Sequence, residues 1–243
     1  ENNFSNFTNI FSCKSENDIL AEFIYIIANI YSSENDFNRS NFYNQISMFL
    51  NPKFIFNLSL TAENHYMNEN YRECEKTLEK FNKKNLAYYW FKVKKKTFII
   101  AKEYDNEKSF NYLNLNFKKI KNPSIKMLFD VANISKSFEE YDIAIGYYNN
   151  VLSQLTPNSK NYSDILYKRG SSYERLGEFS KSDNDLLQSL EINPDDPYTL
   201  NYLAYSWLER NYKIETAIEM LERAYKKKQN DPYIIDSIGW AYY

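Results

Sequence analysis

Glycine is scarce in these 243 residues: there are four, with six prolines, two cysteines and one histidine. Ordinary usage is about 7% glycine and 5% proline. Sheet-rich folds and phosphate-binding α/β folds need glycine at their turns and loops, so its scarcity favours helices. Gly146, Gly170, Gly177 and Gly239 stand apart from one another, which leaves no glycine-rich phosphate loop. Cys13 and Cys74 are far apart and His65 is the sole imidazole, so a Cys/His metal site is not available. A disulfide-stapled small fold is excluded, although one disulfide stays open. Cys13 follows Ile10-Phe11-Ser12, but the polar ENNFSNFTN before it lacks the apolar stretch of a lipid-attachment leader. No run of 18 apolar residues occurs, so no membrane insertion is expected of this segment. Neither a GxSxG elbow nor an HExxH pair is found. The expectation is no catalytic residue, no metal and no cofactor: a chain that is not an enzyme.

What the chain has in excess is aromatic: 23 Tyr and 17 Phe. With abundant Asn, Lys and Ile, this is the bias an AT-rich genome imposes. Net charge is −2 and the isoelectric point about 5.7, so no global basic surface awaits nucleic acid. One stretch departs from that balance. From 92 to 126 ten lysines face three acids. Such a belt is either a solvated helix face or a surface that attracts an acidic partner.

A fixed period organises the rest. The segment from Pro197, PYTLNYLAYSWLERNYKIETAIEMLERAY, superimposes on PYIIDSIGWAYY from Pro232 at a spacing of 35, with Leu200 over Ile235, Leu203 over Ile238 and Ala204 over Gly239. Upstream, SDILYKRGSSYERLGEFSKSDNDLLQSLEINPDD starts 34 residues before Pro197. This register resembles the tetratricopeptide repeat, a helix–turn–helix of about 34 residues. Leu166, Gly170, Tyr173, Gly177, Phe179, Leu186 and Pro194 match its pattern, with Ser182 and Ser189 where alanine is usual. The phase extends backwards, giving repeats that start near 21, 55, 90, 125, 163, 197 and 232, the last one truncated. The resemblance implies an all-α solenoid, a right-handed superhelix of hairpins over 21–243, preceded by a loosely ordered or capping polar lead at 1–20. The third repeat fits worst, since lysines occupy part of its expected first helix and its register is open.

The steric basis of the pattern is independent of the resemblance. Two helices approach closely only through small facing residues, and the pairs Ala28/Ser40, Ala62/Cys74, Thr97/Ser109, Ala132/Ala144, Gly170/Ser182 and Ala204/Ala217 supply them. Asn51-Pro52, Asn122-Pro123, Thr156-Pro157 and Asn193-Pro194 mark the turns between hairpins. Residues 157–162 carry an extra four and predict a longer loop. Glu139/Glu140 and Asp195/Asp196 are expected to cap helix N-termini. Cys74 and His65 are expected to be packing residues.

In a stack, a single hairpin cannot bury its apolar face alone. The resemblance implies that first helices line a concave groove. The residues expected to face it are Tyr25, Asn29, Glu63, Lys94, Phe98, Phe129, Asn133, Tyr167, Asn201, Tyr202, Tyr205, Asp236 and Trp240. Asparagine there can bond peptide backbone, and the rings offer rigid contact area. No consecutive trio of repeats supplies the Lys/Asn/Arg set by which chaperone-binding members hold a terminal carboxylate, so that subclass is disfavoured. The function expected is a protein-interaction scaffold that binds a protein or peptide partner, with no nucleic acid. The alternatives are an RNA-binding helical-repeat protein, or the non-catalytic repeat region of a larger enzyme or envelope assembly complex. The tail from Pro197 resembles stretches of long bacterial repeat proteins, many exported, which points toward the cell envelope with the cytoplasm as the alternative. Lacking an initial Met and ending within an expected helix, the sequence reads as part of a longer chain.

Overall fold

The computed structural model describes residues 15–81 and 85–243, so most of the polar lead expected over 1–20, and Cys13 with it, lies outside the described residues. Among the described residues the structure has thirteen α-helices and no strand. They fall into two compact units, one ending at Ile120 and the other beginning at Lys121.

The first unit holds α1 (Glu16–Ser33), α2 (Phe37–Leu50), α3 (Phe56–Met67), α4 (Tyr71–Glu79), α5 (Leu86–Glu103) and α6 (Asn106–Phe117). The second holds α7 (Ile125–Ser137), α8 (Tyr141–Leu152), α9 (Lys160–Arg175), α10 (Phe179–Ile192), α11 (Pro197–Glu209), α12 (Ile214–Lys227) and α13 (Pro232–Tyr242). Within each unit the helices pack in consecutive pairs and each pair touches the next; α9 also touches α11, and α11 touches α13. The extra residues before α9 form a turn that ends at Ser159, whose side chain accepts from the Tyr162 amide. Three of the residues expected in that loop, 160–162, already belong to the helix.

Helix starts follow ordinary capping chemistry. Ser15, Asp36, Asn70, Asn85, Asp105, Ser124, Ser159, Asp196 and Asp231 each accept a backbone N–H of the first turn. Pro197 and Pro232 occupy the first turn, where the missing N–H costs nothing. In five of the six hairpins the turn is closed by one recurring device. Asn35, Glu69, Glu139, Gly177 and Asn211 adopt positive φ. The next residue's amide then reaches back five residues: Asp36 to Tyr31, Asn70 to His65, Glu140 to Ser135, Glu178 to Tyr173 and Tyr212 to Trp207. These are Schellman closures, and the link between the two helices is three or four residues long. Glu139 therefore serves as a left-handed terminator of α7 rather than as capping charge, and Glu140 makes no side-chain cap to α8. Asp196 does cap α11, through the Thr199 amide at 2.7 Å.

The small facing pairs lie at the centre of every hairpin. All twelve residues are buried, eleven of them with no exposure at all or 1%. Small size is only part of their role. Ser40 Oγ donates to the Ala28 carbonyl at 2.7 Å, Cys74 Sγ to Ala62 at 3.2 Å and Ser109 Oγ to Thr97 at 2.5 Å. The second helix is thus tied to the first at one spot in three successive hairpins. The Thr97/Ser109 bond also fixes the register of the third hairpin, which the lysines of α5 obscured. A Cβ added at Gly170 would lie 3.0 Å from Leu186 Cγ, so glycine is what lets α9 meet α10 this closely.

Between hairpins the core is aromatic in the first unit and aliphatic in the second. Leu78, Phe81 and Ile99 are enclosed by Tyr66, Tyr71, Tyr88 and Phe91. Leu186, Leu200, Leu203, Trp207, Leu221 and Ile234 form the larger cluster across α10 to α13. Fully burying each such side chain is worth about 1.5–3 kcal/mol, enough to make the stack the cooperative element.

Candidate partner-binding surface

The side chains expected to face a groove have different fates in the two units. In the first, most are occupied. Asn29 turns its Nδ2 onto the Tyr25 carbonyl of its own helix at 2.9 Å, and Tyr25 sets its ring edge-on to Phe54 at 5.1 Å. Glu63 pairs with Lys95 at 2.6 Å, and the same ammonium lies 4.3 Å from the Tyr66 ring. Lys94 lies over Trp90 at 6.0 Å, and Phe98 is half-buried.

Four of the belt's ten lysines, Lys92, Lys95, Lys96 and Lys108, are held in ion pairs. Lys92 bonds Glu79 at 2.6 Å, while Lys96 bridges Glu79 at 3.1 Å and Glu75 at 3.5 Å. Those two lysines hold the Glu79 carboxyl down to about 2. Lys108 pairs with Asp105. The pairs of Lys92, Lys95 and Lys96 tie α5 to α3 and α4.

In the second unit the first helices α7, α9, α11 and α13 carry a polar and aromatic face. Phe129 lies beneath Lys168, 5.7 Å from its Nζ, and helps line a cleft of about 320 Å³ with Lys126, Leu155 and Asp164. Asn133 accepts the hydroxyl of the fully buried Tyr148 at 2.9 Å, which makes it a packing partner first. Burial pushes the Tyr148 phenol far up. Lys136 donates to Ser171 Oγ; burial, with Lys168 as a like charge, brings its ammonium down to about 8.

Tyr167 meets Tyr202 edge-on at 5.8 Å. Tyr202 donates to Glu174 Oε2 at 2.9 Å, and burial with that carboxylate drives its phenol far above the ordinary range. Asn201 is half-buried and its Oδ1 is enclosed without a hydrogen-bond partner.

Two clefts meet at Tyr205. One, about 570 Å³, is lined by Tyr202 and Tyr205 together with Glu174, Arg175, Phe179, Ser206, Glu209 and Arg210. The other, about 600 Å³ and more open, is lined by Tyr205, Ile235, Asp236, Gly239, Trp240 and Tyr243. Trp240 stacks on Tyr243 at 6.3 Å and keeps half its surface exposed. Of the thirteen expected residues, the structure gathers Tyr202, Tyr205, Asp236 and Trp240 around this junction. Glu174, Arg175 and Glu209 lie outside the expected set; Glu209 is one turn beyond Tyr205, and Glu174 and Arg175 are two turns beyond Tyr167, on the face that the helical period assigns to those residues. Phe179 and Arg210, at the hairpin ends, carry no such signal.

His65 is half-buried with its imidazole lowered mainly by that burial. No group of three metal-ligating side chains occurs among the described residues. No described helix is long and apolar enough to cross a membrane.

Paired helices with small residues at their crossings make the described residues an all-α array of helical hairpins, similar in fold to tetratricopeptide-repeat proteins. No protein-family model matches it. Over 80 residues it is 31% identical to the TPR repeat-containing protein PA4667 of Pseudomonas aeruginosa, a match that spans 33% of this chain and 14% of that protein. In structure it is similar to the APC/C hetero-tetramer Cut9–Hcn1, with a TM-score of 0.62 at 16% identity over 98% of this chain and 45% of that one. It is similar also to the MamA RS-1 ArsTM double mutant, with a TM-score of 0.54 at 12% identity over 71% of this chain and 94% of that one. The chain therefore spans a small part of the curated relative and less than half of the Cut9–Hcn1 chain it matches.

Proposed function

We propose that the chain is a protein-interaction scaffold and that the inner face of α9, α11 and α13 receives a segment of a partner protein. The observation that carries this is the pair of clefts joined at Tyr205, walled by ring faces and backed by a rigid aliphatic core. Rings of this kind supply most of the energy in protein interfaces at small entropic cost. Exposed Tyr198 and Tyr233 extend the same aromatic surface. The fold neighbour Cut9–Hcn1 is itself a hetero-tetramer, in keeping with a scaffold role. The lysine belt is a weaker candidate, because Lys92, Lys95 and Lys96 are already paired.

The test is a peptide selection from a displayed random library against the immobilised chain, followed by affinity measurement. Tyr205→Ala/Trp240→Ala should lower the affinity of selected peptides by at least about tenfold. Unchanged affinity would overturn the assignment of this surface.

A further inference from the structure

Resting on that reading of the surface, we infer that the Tyr205–Trp240 cleft takes an arginine side chain of the partner. The argument begins with how this chain seats its own arginines. Arg169 sends both arms of its fork to Asp185, at 2.7 Å each, and lies 5.9 Å from the Tyr173 ring. Arg210 bonds Asp183 at 2.7 Å and stacks 4.7 Å from the centre of the Phe179 ring. In both cases a flat guanidinium is satisfied by a ring face and a carboxylate together, the combination that suits its planar, weakly hydrated charge.

The Tyr205–Trp240 cleft offers the same combination through Asp236, and Glu209 offers it from the adjoining cleft on the other side of Tyr205. Tyr205 and Glu209 are one turn apart on α11; Asp236 and Trp240 are one turn apart on α13, in the opposite order. Both carboxylates lie close enough to Tyr205 to act on its phenol, Glu209 also through a hydrogen bond with the hydroxyl, and both raise it behind the larger effect of its burial. Glu209, Asp236 and Trp240 are exposed. No lysine or arginine lines the cleft that holds Asp236 and Trp240. Neither carboxylate is in an ion pair among the described residues. On the Glu174 side, Arg210 is held by Asp183 and Arg175 is held against the Tyr141 ring and hydroxyl, so neither neutralises Glu209. Ring and acid thus stand ready where the two internal templates each hold a guanidinium. Charge complementarity selects a basic over an acidic or apolar side chain. Among basic ones, a guanidinium can lie flat on a ring while its fork bonds a carboxylate twice, as Arg169 does, whereas an ammonium such as that of Lys95 between Glu63 and Tyr66 meets each as a point charge.

The test uses the whole chain and three fluorescein-labelled hexapeptides, GRGRGR, GKGKGK and GEGEGE, in low salt so that exposed charge is little screened. GRGRGR should bind tightest, and Glu209→Gln/Asp236→Asn should weaken it by about tenfold, as loss of charge-assisted bonds predicts. Glu191→Gln/Glu219→Gln, which removes as much charge from exposed positions on α10 and α12, should leave it unchanged. Equal binding of GKGKGK or GEGEGE, an unaltered affinity in Glu209→Gln/Asp236→Asn, or the same loss in the Glu191/Glu219 variant would overturn the inference. The two readings fail separately. If Tyr205→Ala/Trp240→Ala abolishes binding of selected peptides while GRGRGR shows no preference, the surface stands and arginine falls. If that variant leaves selected peptides unaffected, the surface itself falls.

Discussion

At the scale of single residues, the molecule depends on side chains too small to attract notice. Cys74 is an example: it is fully buried in the α3–α4 crossing, and its sulfur donates to the Ala62 carbonyl. Ser40 and Ser109 do the same work one hairpin away on either side. Cys74→Ser should therefore change stability by less than about 1 kcal/mol, whereas Cys74→Leu should cost about 1–3 kcal/mol by overpacking. Urea unfolding of both variants in a Cys13→Ser background checks this, and an equal loss in the two would contradict it. Burial also pushes the Cys74 thiol up to about 11. Its folded pKa is raised, so the stability it confers is complete below the unfolded value of about 8.5 and is lost as pH rises through the folded value. The stability difference between wild type and Cys74→Ser should thus shrink from pH 8 toward pH 11, and native Cys74 should resist a thiol reagent at pH 8. Fast labelling in the folded state would contradict the packing described for this sulfur. These crossings were legible in advance, because the demand for small residues is purely steric. The hydrogen bond from serine or cysteine to the opposite carbonyl was not, since it depends on a rotamer that spacing does not specify.

At the scale of elements, five of the six hairpins turn through a residue with positive φ, and only one of those residues is glycine. A chain this poor in glycine uses Asn35 and Asn211, which tolerate the left-handed region, and also Glu69 and Glu139, which do so at a cost of about 1 kcal/mol or more. Glu139→Gly should stabilise the protein by about 0.5–1 kcal/mol after the added chain entropy of the unfolded state is deducted, and Gly177→Glu should destabilise it by a similar amount. Chemical denaturation of the two variants decides the matter: a Glu139→Gly variant weaker than wild type would contradict the turn geometry. The position of the turns could be read from Asn, Gly and Pro. Their chemistry could not, because an acidic pair between two helices suggests N-terminal charge, and the αL residue comes from the closing hydrogen bond instead. The lysine belt taught a similar lesson. Its sign was plain in the sequence, but its pairing with Glu63, Glu75 and Glu79 joins residues 13 to 32 positions apart and depends on how α5 lies across α3 and α4.

At the scale of the whole molecule, each hairpin meets chiefly its sequence neighbours within its own unit, and this governs both stability and binding. A stack of this kind behaves as units coupled through adjacent interfaces, so damage should decay with distance along the array. The face expected to bind was legible as a face, because the helical period assigns it; the junction at Tyr205 was not, because it requires the side chains of α9, α11 and α13 to converge. That convergence rests on Ala204, which is fully buried against α12 one residue before Tyr205. Ala204→Leu should cost about 1–3 kcal/mol. Amide exchange should accelerate most in α11 and α12, less in α10 and α13, and least in α7 and α8. Because the same shift tilts the helix that carries Tyr205 and Glu209, affinity for selected peptides should fall along with protection in α11. Uniform acceleration from α7 to α13 would mean that the second unit unfolds as one block. Lost protection with affinity retained would mean that the binding surface does not lie on α11, and the two results together would separate how this stack is held from what it holds.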